Sequence, residues 1–153
     1  MTAIKIGDKI PGFSLPDQNG MVADMKNFIG ESNIVLFFYP KDDTPGCTRE
    51  ACSFRDHYED FADAGAEVFG ISGQSVGSHK NFAEKHNLNY KLLSDEGNKV
   101  RKLFGVPSSF FGLMPGRVTY VADRTGKVVY IFNSQTNVKE HVDKALQVLG
   151  NVK

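Results

Sequence analysis

The stretch Ile34-Val35-Leu36-Phe37-Phe38-Tyr39-Pro40-Lys41-Asp42-Asp43-Thr44-Pro45-Gly46-Cys47-Thr48-Arg49-Glu50-Ala51-Cys52 has two halves of opposite character. Its first six residues are all apolar or aromatic and are closed by Pro40, the pattern of a strand buried on both faces. Pro45 and Gly46 then set a turn, and a helix begins near Cys47. From there Ala51, Phe54, Tyr58, Phe61 and Ala62 recur at steps of three and four and share one stripe. Open α/β sheets bind their ligands beyond the carboxyl ends of strands, and the loop from Pro40 to Gly46 occupies such an end.

Outward from this stretch the same two periods alternate. Val68 to Ile71 is a second buried strand. Arg117 to Val121 and Val128 to Phe132 form a pair joined by the turn Asp123-Arg124-Thr125-Gly126. Upstream, Phe13-Ser14-Leu15 and Met21-Val22 flank Pro16-Asp17-Gln18-Asn19-Gly20, a small hairpin. Helical spacing returns weakly from about Ser75 to His86, briefly from Lys99 to Phe104, and clearly at Val138, Val142, Ala145, Leu146 and Leu149, before Gly150. The order is hairpin, β, α, β, α, β, short α, β-hairpin, α. Strands alternating with helices imply right-handed crossovers and one α/β domain over residues 1–153, with an antiparallel pair at its end. A thioredoxin-like fold fits this order: a central mixed sheet flanked by helices, with the N-terminal β-hairpin as an extension.

Composition narrows the function. The chain has 153 residues, 18 basic and 18 acidic, and zero formal net charge, which disfavours nucleic-acid binding through a basic footprint. Twelve Phe and five Tyr supply ample surface to bury, so disorder is not expected. The longest apolar run is Ile34 to Tyr39, far short of the roughly 18–20 residues of a membrane span. Lys5, Asp8 and Lys9 precede any apolar stretch, so the chain reads as a soluble mature protein without a signal peptide. Two cysteines cannot staple a disulfide mini-protein. They leave three readings: buried hydrophobes, a metal site, or redox chemistry.

Geometry separates these readings. A sulfur in a helix's first turn faces unpaired N–H groups and the positive end of the helix dipole, which favour thiolate over thiol. Cys47 holds that position and falls on the apolar stripe, so it faces the protein body. Cys52, five residues on, lies about 140° around the helix and off the stripe. An intact helix would separate the two Cα atoms by about 8–9 Å, beyond the roughly 7 Å limit for a disulfide. Five residues also exceeds the two-to-four-residue Cys spacing usual for zinc. His57 stands about 15 Å along the helix from Cys47 and cannot pair with it. His79, His86 and His141 lack metal spacing and read as surface or boundary residues, and Asp42-Asp43 as a polar loop. Five Arg compete to supply positive charge, and by position alone Arg49 is as good a candidate as Arg117.

The pattern Pro40-x-x-x-Thr44-x-x-Cys47 resembles the active-site signature of peroxiredoxins, thiol peroxidases on a thioredoxin-like fold. The stretch from Phe37 to Asp56, with its second Cys five residues after the first, is similar to the peroxiredoxin Q (bacterioferritin comigratory protein) subfamily. Gly116-Arg117-Val118-Thr119-Tyr120-Val121 and Ile131-Phe132-Asn133-Ser134-Gln135 extend the likeness, which runs from about Lys5 to Leu149. The resemblance implies that Cys47 is the peroxidatic Cys, attacking a hydroperoxide and becoming a sulfenic acid. Thr44 would hydrogen-bond the thiolate and the incoming oxygen, and Pro40 would shield the sulfenate from water. Arg117 would supply charge, and the Gly46 and Cys47 backbone N–H groups would add oriented donors. Cys52 matches the resolving position, forming an intramolecular disulfide with Cys47 that thioredoxin or a glutaredoxin-like reductant would reopen. The first helix turns would then have to melt between redox states.

The resemblance further implies a monomer, and no metal or other cofactor, membrane or nucleic-acid partner is expected. Its compartment would be the bacterial cytoplasm, or a plastid after removal of a transit peptide. Phe110-Phe111-Gly112-Leu113-Met114-Pro115 reads as an apolar loop, either a wall for organic hydroperoxides, a contact for the reductant, or simple core packing. Two other functions compete. A dithiol oxidoreductase expects Cys-x-x-Cys, which this spacing opposes. A thioredoxin-fold metal carrier would use both Cys and a distant His.

Overall fold

Strand β3 (Asn33–Phe38) has neighbours on both edges and helices or loops over both faces, the arrangement its unbroken apolar run demands. The computed structural model describes residues 3–109 and 114–151. Beside β3, β4 (Ala66–Ser72) runs parallel with Val35 opposite Val68, and β8 (Val118–Ala122) runs antiparallel with Phe38 opposite Val118. β5 (Lys91–Ser94) and β9 (Val128–Asn133) complete a five-stranded mixed sheet in the order β5-β4-β3-β8-β9. The N-terminal hairpin is a separate two-stranded sheet, β1 (Ser14–Pro16) against β2 (Val22–Asp24). Its turn residue Gly20 has φ +80°, a region that L side chains rarely adopt.

The pleat of β3 divides its side chains between two cores. Val35 and Phe37, with Tyr39 beyond, join Phe54, Phe61, Phe82 and Val142 on one face. Ile34, Leu36 and Phe38 join Met25, Phe104 and Tyr120 on the other. The first face carries α1 (Pro45–Asp56), α2 (Tyr58–Asp63), α3 (Val76–His86) and α5 (Val138–Leu149), while α4 (Lys99–Phe104) serves the second. α1 is pinned by Phe54, whose ring stacks on Phe37 at 4.3 Å between centroids and 9° between planes.

Three expectations change. The stripe from Ala51 to Ala62 predicts one helix, but the chain breaks at His57 (φ −104°, ψ 14°), and α2 restarts there with Phe61 still buried. His79 and His141, read as surface or boundary residues, are fully buried, because each shares the apolar stripe of its helix with Phe82 and Ala83 or with Val138 and Val142. Asp42 is buried as well, while Asp43 stays exposed. The apolar loop over Phe110 to Pro115 lies mostly outside the described residues. Its flanks pair as a two-residue ladder, β6 (Ser108–Ser109) with β7 (Met114–Pro115). Among the described residues no helix is long and apolar enough to cross a membrane.

Candidate active site

α1 begins at Pro45, two residues before the Cys47 start expected from the sequence. Thr44 is its N-cap residue in an extended conformation and Pro45 opens the helix, a position where a missing N–H costs nothing. The first helical hydrogen bond runs from Thr48 N–H to Thr44 O. The N–H groups of Gly46 and Cys47 precede that bond, and among the described residues no side chain caps them. Cys47 is buried, whereas Cys52 is half-exposed, and both thiols are free.

The register of the sheet delivers the cation. With Phe38 opposite Val118, Arg117 falls just beyond the carboxyl end of β3, beside the start of α1. Its guanidinium spans three partners. Nε donates to Gln135 O at 3.1 Å, Nη1 to Glu50 Oε1 at 2.7 Å, and Nη2 to Cys47 Sγ at 3.4 Å. Gly46 permits this approach: a Cβ there would sit 3.1 Å from Arg117 Nη2. Burial disfavours the Arg117 charge, yet Glu50 and Cys47 more than offset it and hold the group above its ordinary range. Arg49, the other positional candidate, is exposed on the outer side of α1.

Pro40, Lys41, Thr44, Gly46, Cys47, Pro115, Arg117 and Gln135 line one cavity of about 390 Å³. Every residue proposed for the site except Cys52 is therefore brought together. Thr44 differs in one detail from expectation: its hydroxyl donates to Lys41 O at 2.9 Å and not to the sulfur. Its lone pairs remain available to accept.

Behind the cavity lies a second layer absent from the sequence reading. Glu50 is fully buried, and burial raises its carboxyl to about 7 against the opposing pull of Arg117. Among the described residues its Oε2 has no hydrogen-bond partner, and it stands 3.6 Å from His141 Nδ1. Burial lowers His141 to about 4, so at neutral pH the ring is uncharged. Nε2 faces the Ser134 carbonyl at 2.7 Å and must carry the hydrogen, leaving Nδ1 to accept from Thr119 Oγ1 at 2.7 Å. The available signal was position: Glu50 stands one turn after Cys47, and His141 sits three residues after Val138 in a buried stripe. Among the described residues no group of three His, Cys, Asp or Glu is placed to hold a metal ion.

Comparison with known proteins identifies the family. Residues 6–131 match the AhpC/TSA family. The chain is 52% identical over 146 residues to the chloroplastic peroxiredoxin Q of Triticum aestivum, covering 95% of this chain and 67% of the relative. The crystal structure of peroxidoxin BcpB from Mycobacterium tuberculosis superposes with a TM-score of 0.90 at 39% identity, over 98% of this chain and 99% of the other. Xanthomonas campestris peroxiredoxin Q superposes with a TM-score of 0.83 at 31% identity, over 91% and 90%. The chain therefore belongs to the AhpC/TSA family and is a thiol-dependent peroxidase of its peroxiredoxin Q branch.

Proposed function

We propose that the chain reduces hydrogen peroxide and organic hydroperoxides through Cys47, and resolves the product within the same chain through Cys52. The observation that carries this reading is the Arg117 Nη2 contact to Cys47 Sγ at 3.4 Å, at the wall of an open cavity and in the first turn of α1. The Cys47 thiolate attacks the terminal peroxide oxygen. The S–O bond forms as the O–O bond breaks, and the leaving oxygen departs as water or an alcohol after taking up a proton. Charge moves from sulfur toward that oxygen, so fixed donors stabilise the transition state more than the ground state. Arg117 and the Gly46 and Cys47 N–H groups are those donors. Thr44, its hydrogen already engaged by Lys41, accepts the hydroperoxide O–H and orients the substrate.

The Cys52 thiol then attacks the sulfenic sulfur, the S–S bond forms and water leaves. In intact α1 the two residues stand about 8–9 Å apart by helical rise and rotation, so this step requires the helix to unwind. A thioredoxin-type dithiol restores both thiols by exchange, itself becoming oxidised. Both sulfurs lie on one helix, so a monomer suffices for the cycle. The chloroplastic relatives favour a plastid over the bacterial cytoplasm as its compartment. The test is peroxide consumption with a thioredoxin system. Cys47→Ser should abolish it, while Cys52→Ser should form one sulfenic acid per chain and then stall. Turnover of Cys52→Ser at the unaltered rate would remove Cys52 from the resolving role.

A further inference from the structure

The loop that carries Pro40 and Thr44 is held from beneath by a polar cluster that touches no substrate. Asp42 is buried beneath it, at the carboxyl ends of β3, β4 and β5. Its Oδ1 accepts from Tyr39 OH at 2.7 Å, and its Oδ2 accepts from Ser78 Oγ at 2.8 Å and faces His79 Nδ1 at 2.7 Å. The other ring nitrogen of His79 meets the Leu93 carbonyl at 3.0 Å. A carbonyl can only accept, and the carboxylate accepts as well, so both nitrogens of this fully buried ring donate. Burial by itself would raise the Asp42 carboxyl, but His79, Tyr39 and Ser78 together hold it below its ordinary value.

Such a pair is a poor source of stability, because desolvating two charges costs about as much as their attraction returns. Its directions are more informative. The Asp42 N–H donates to Gln74 Oε1 at 3.1 Å, Tyr39 O accepts from Arg101 Nη2 at 2.8 Å, and Asp43 pairs with Lys85 at 3.2 Å. These ties lead to β5, α3, α4 and the turn after β4. The loop joins α1 through the first helical bond, Thr48 N–H to Thr44 O at 2.8 Å. The loop and the cysteine-bearing helix are therefore anchored by different partners.

We propose that His79, acting through Asp42, is a positioning residue for the peroxide loop, fixing Pro40 to Thr44 from the α3 side independently of the state of α1. This rests on the peroxidase reading and adds to it a division of labour. The Asp42–His79 pair serves the peroxide-dependent step and leaves the disulfide-forming step alone, because the latter depends on α1 coming away.

Rapid mixing with excess peroxide separates the two steps as a concentration-dependent and a concentration-independent rate constant, neither of which depends on the fraction of active protein. In Asp42→Ala and His79→Ala the first constant should fall about tenfold to a hundredfold, the range expected when reacting groups are misplaced by up to about 1 Å. The second should stay within about twofold of the unaltered protein. Asp42→Asn can rebuild the same geometry around a neutral His79, its amide donating to Nδ1 while Nε2–H still meets Leu93 O, and should recover most of the loss. An equal fall in both constants, no fall in either, or failure of Asp42→Asn to recover would overturn the proposal. Absence of any peroxide-dependent phase in the unaltered protein would overturn the peroxidase reading itself.

Discussion

Arg117 Nη1, in the wall of the Cys47 cavity, donates to Glu50 Oε1 at 2.7 Å, and Glu50 lies buried behind that wall. One guanidinium thus ties a residue of α1 to Gln135, just after β9, while touching the reactive sulfur with its remaining nitrogen. The charge felt by the sulfur depends on the protonation of a carboxyl that itself never meets solvent.

This coupling sets a pH dependence of stability. Burial raises Glu50 to about 7 in the folded chain, against 4.5 for an ordinary carboxyl. Folding therefore favours the protonated form. The stability this contributes is complete below about pH 4.5 and is lost as the pH rises through 7. In Glu50→Gln that loss should vanish. Urea unfolding at pH 4.5 and pH 8 should show the unaltered protein losing on the order of 1–3 kcal/mol relative to the variant. A difference that stays constant across this range would mean the carboxyl remains ionised in the fold.

Gly46→Ala should weaken catalysis without weakening the fold. The new Cβ would stand 3.1 Å from Arg117 Nη2, so the nitrogen that contacts the sulfur must shift by a few tenths of an ångström. Removing one such donor costs up to about 10²-fold or more when it acts in the transition state, and a partial displacement should cost about tenfold. Thermal stability should hold or rise slightly, since Ala exceeds Gly in helices by up to about 1 kcal/mol. Unchanged peroxide kinetics would show that Arg117 tolerates the shift.

Disulfide formation should be visible in amide exchange. α1 holds its bonds only while Cys47 and Cys52 are apart, so oxidation should remove protection from about Cys47 to Asp56. The break at His57 separates α2 from that change, and Phe61 keeps α2 docked. Residues 58–63 should therefore exchange at similar rates in both redox states. Equal protection of α1 in reduced and oxidised protein would rule out the unwinding step.

Much of this arrangement was legible before any coordinates. The six-residue apolar run is the central strand, the Asn19-Gly20 and Asp123 to Gly126 turns join paired strands, and Cys47 stands in the first turn of a helix with Cys52 off its buried stripe. These features are local, set by side-chain period and turn chemistry over a few residues. The break at His57 was hidden because the apolar stripe continues through it, and periodicity records which face is buried but not whether the backbone stays helical. His79 and His141 were misplaced because a polar side chain gives no sign of whether the fold supplies partners that make its burial tolerable.

The amino-acid sequence by itself determined the strand–loop–helix unit, the position of its thiol and the five-residue interval that an intact helix cannot bridge. Residue spacing left Arg49 and Arg117 level and the family resemblance pointed to Arg117, but the contact with the thiol is made by the tertiary structure. Arg117 is 70 residues away in the chain, and the pairing of Phe38 with Val118 carries it to the sulfur while Arg49, two residues along the same helix, turns outward. The same is true of Glu50, Asp42 and His79. Their roles come from long-range pairing and burial, which depend on how strands align across the sheet and not on the residues that flank them.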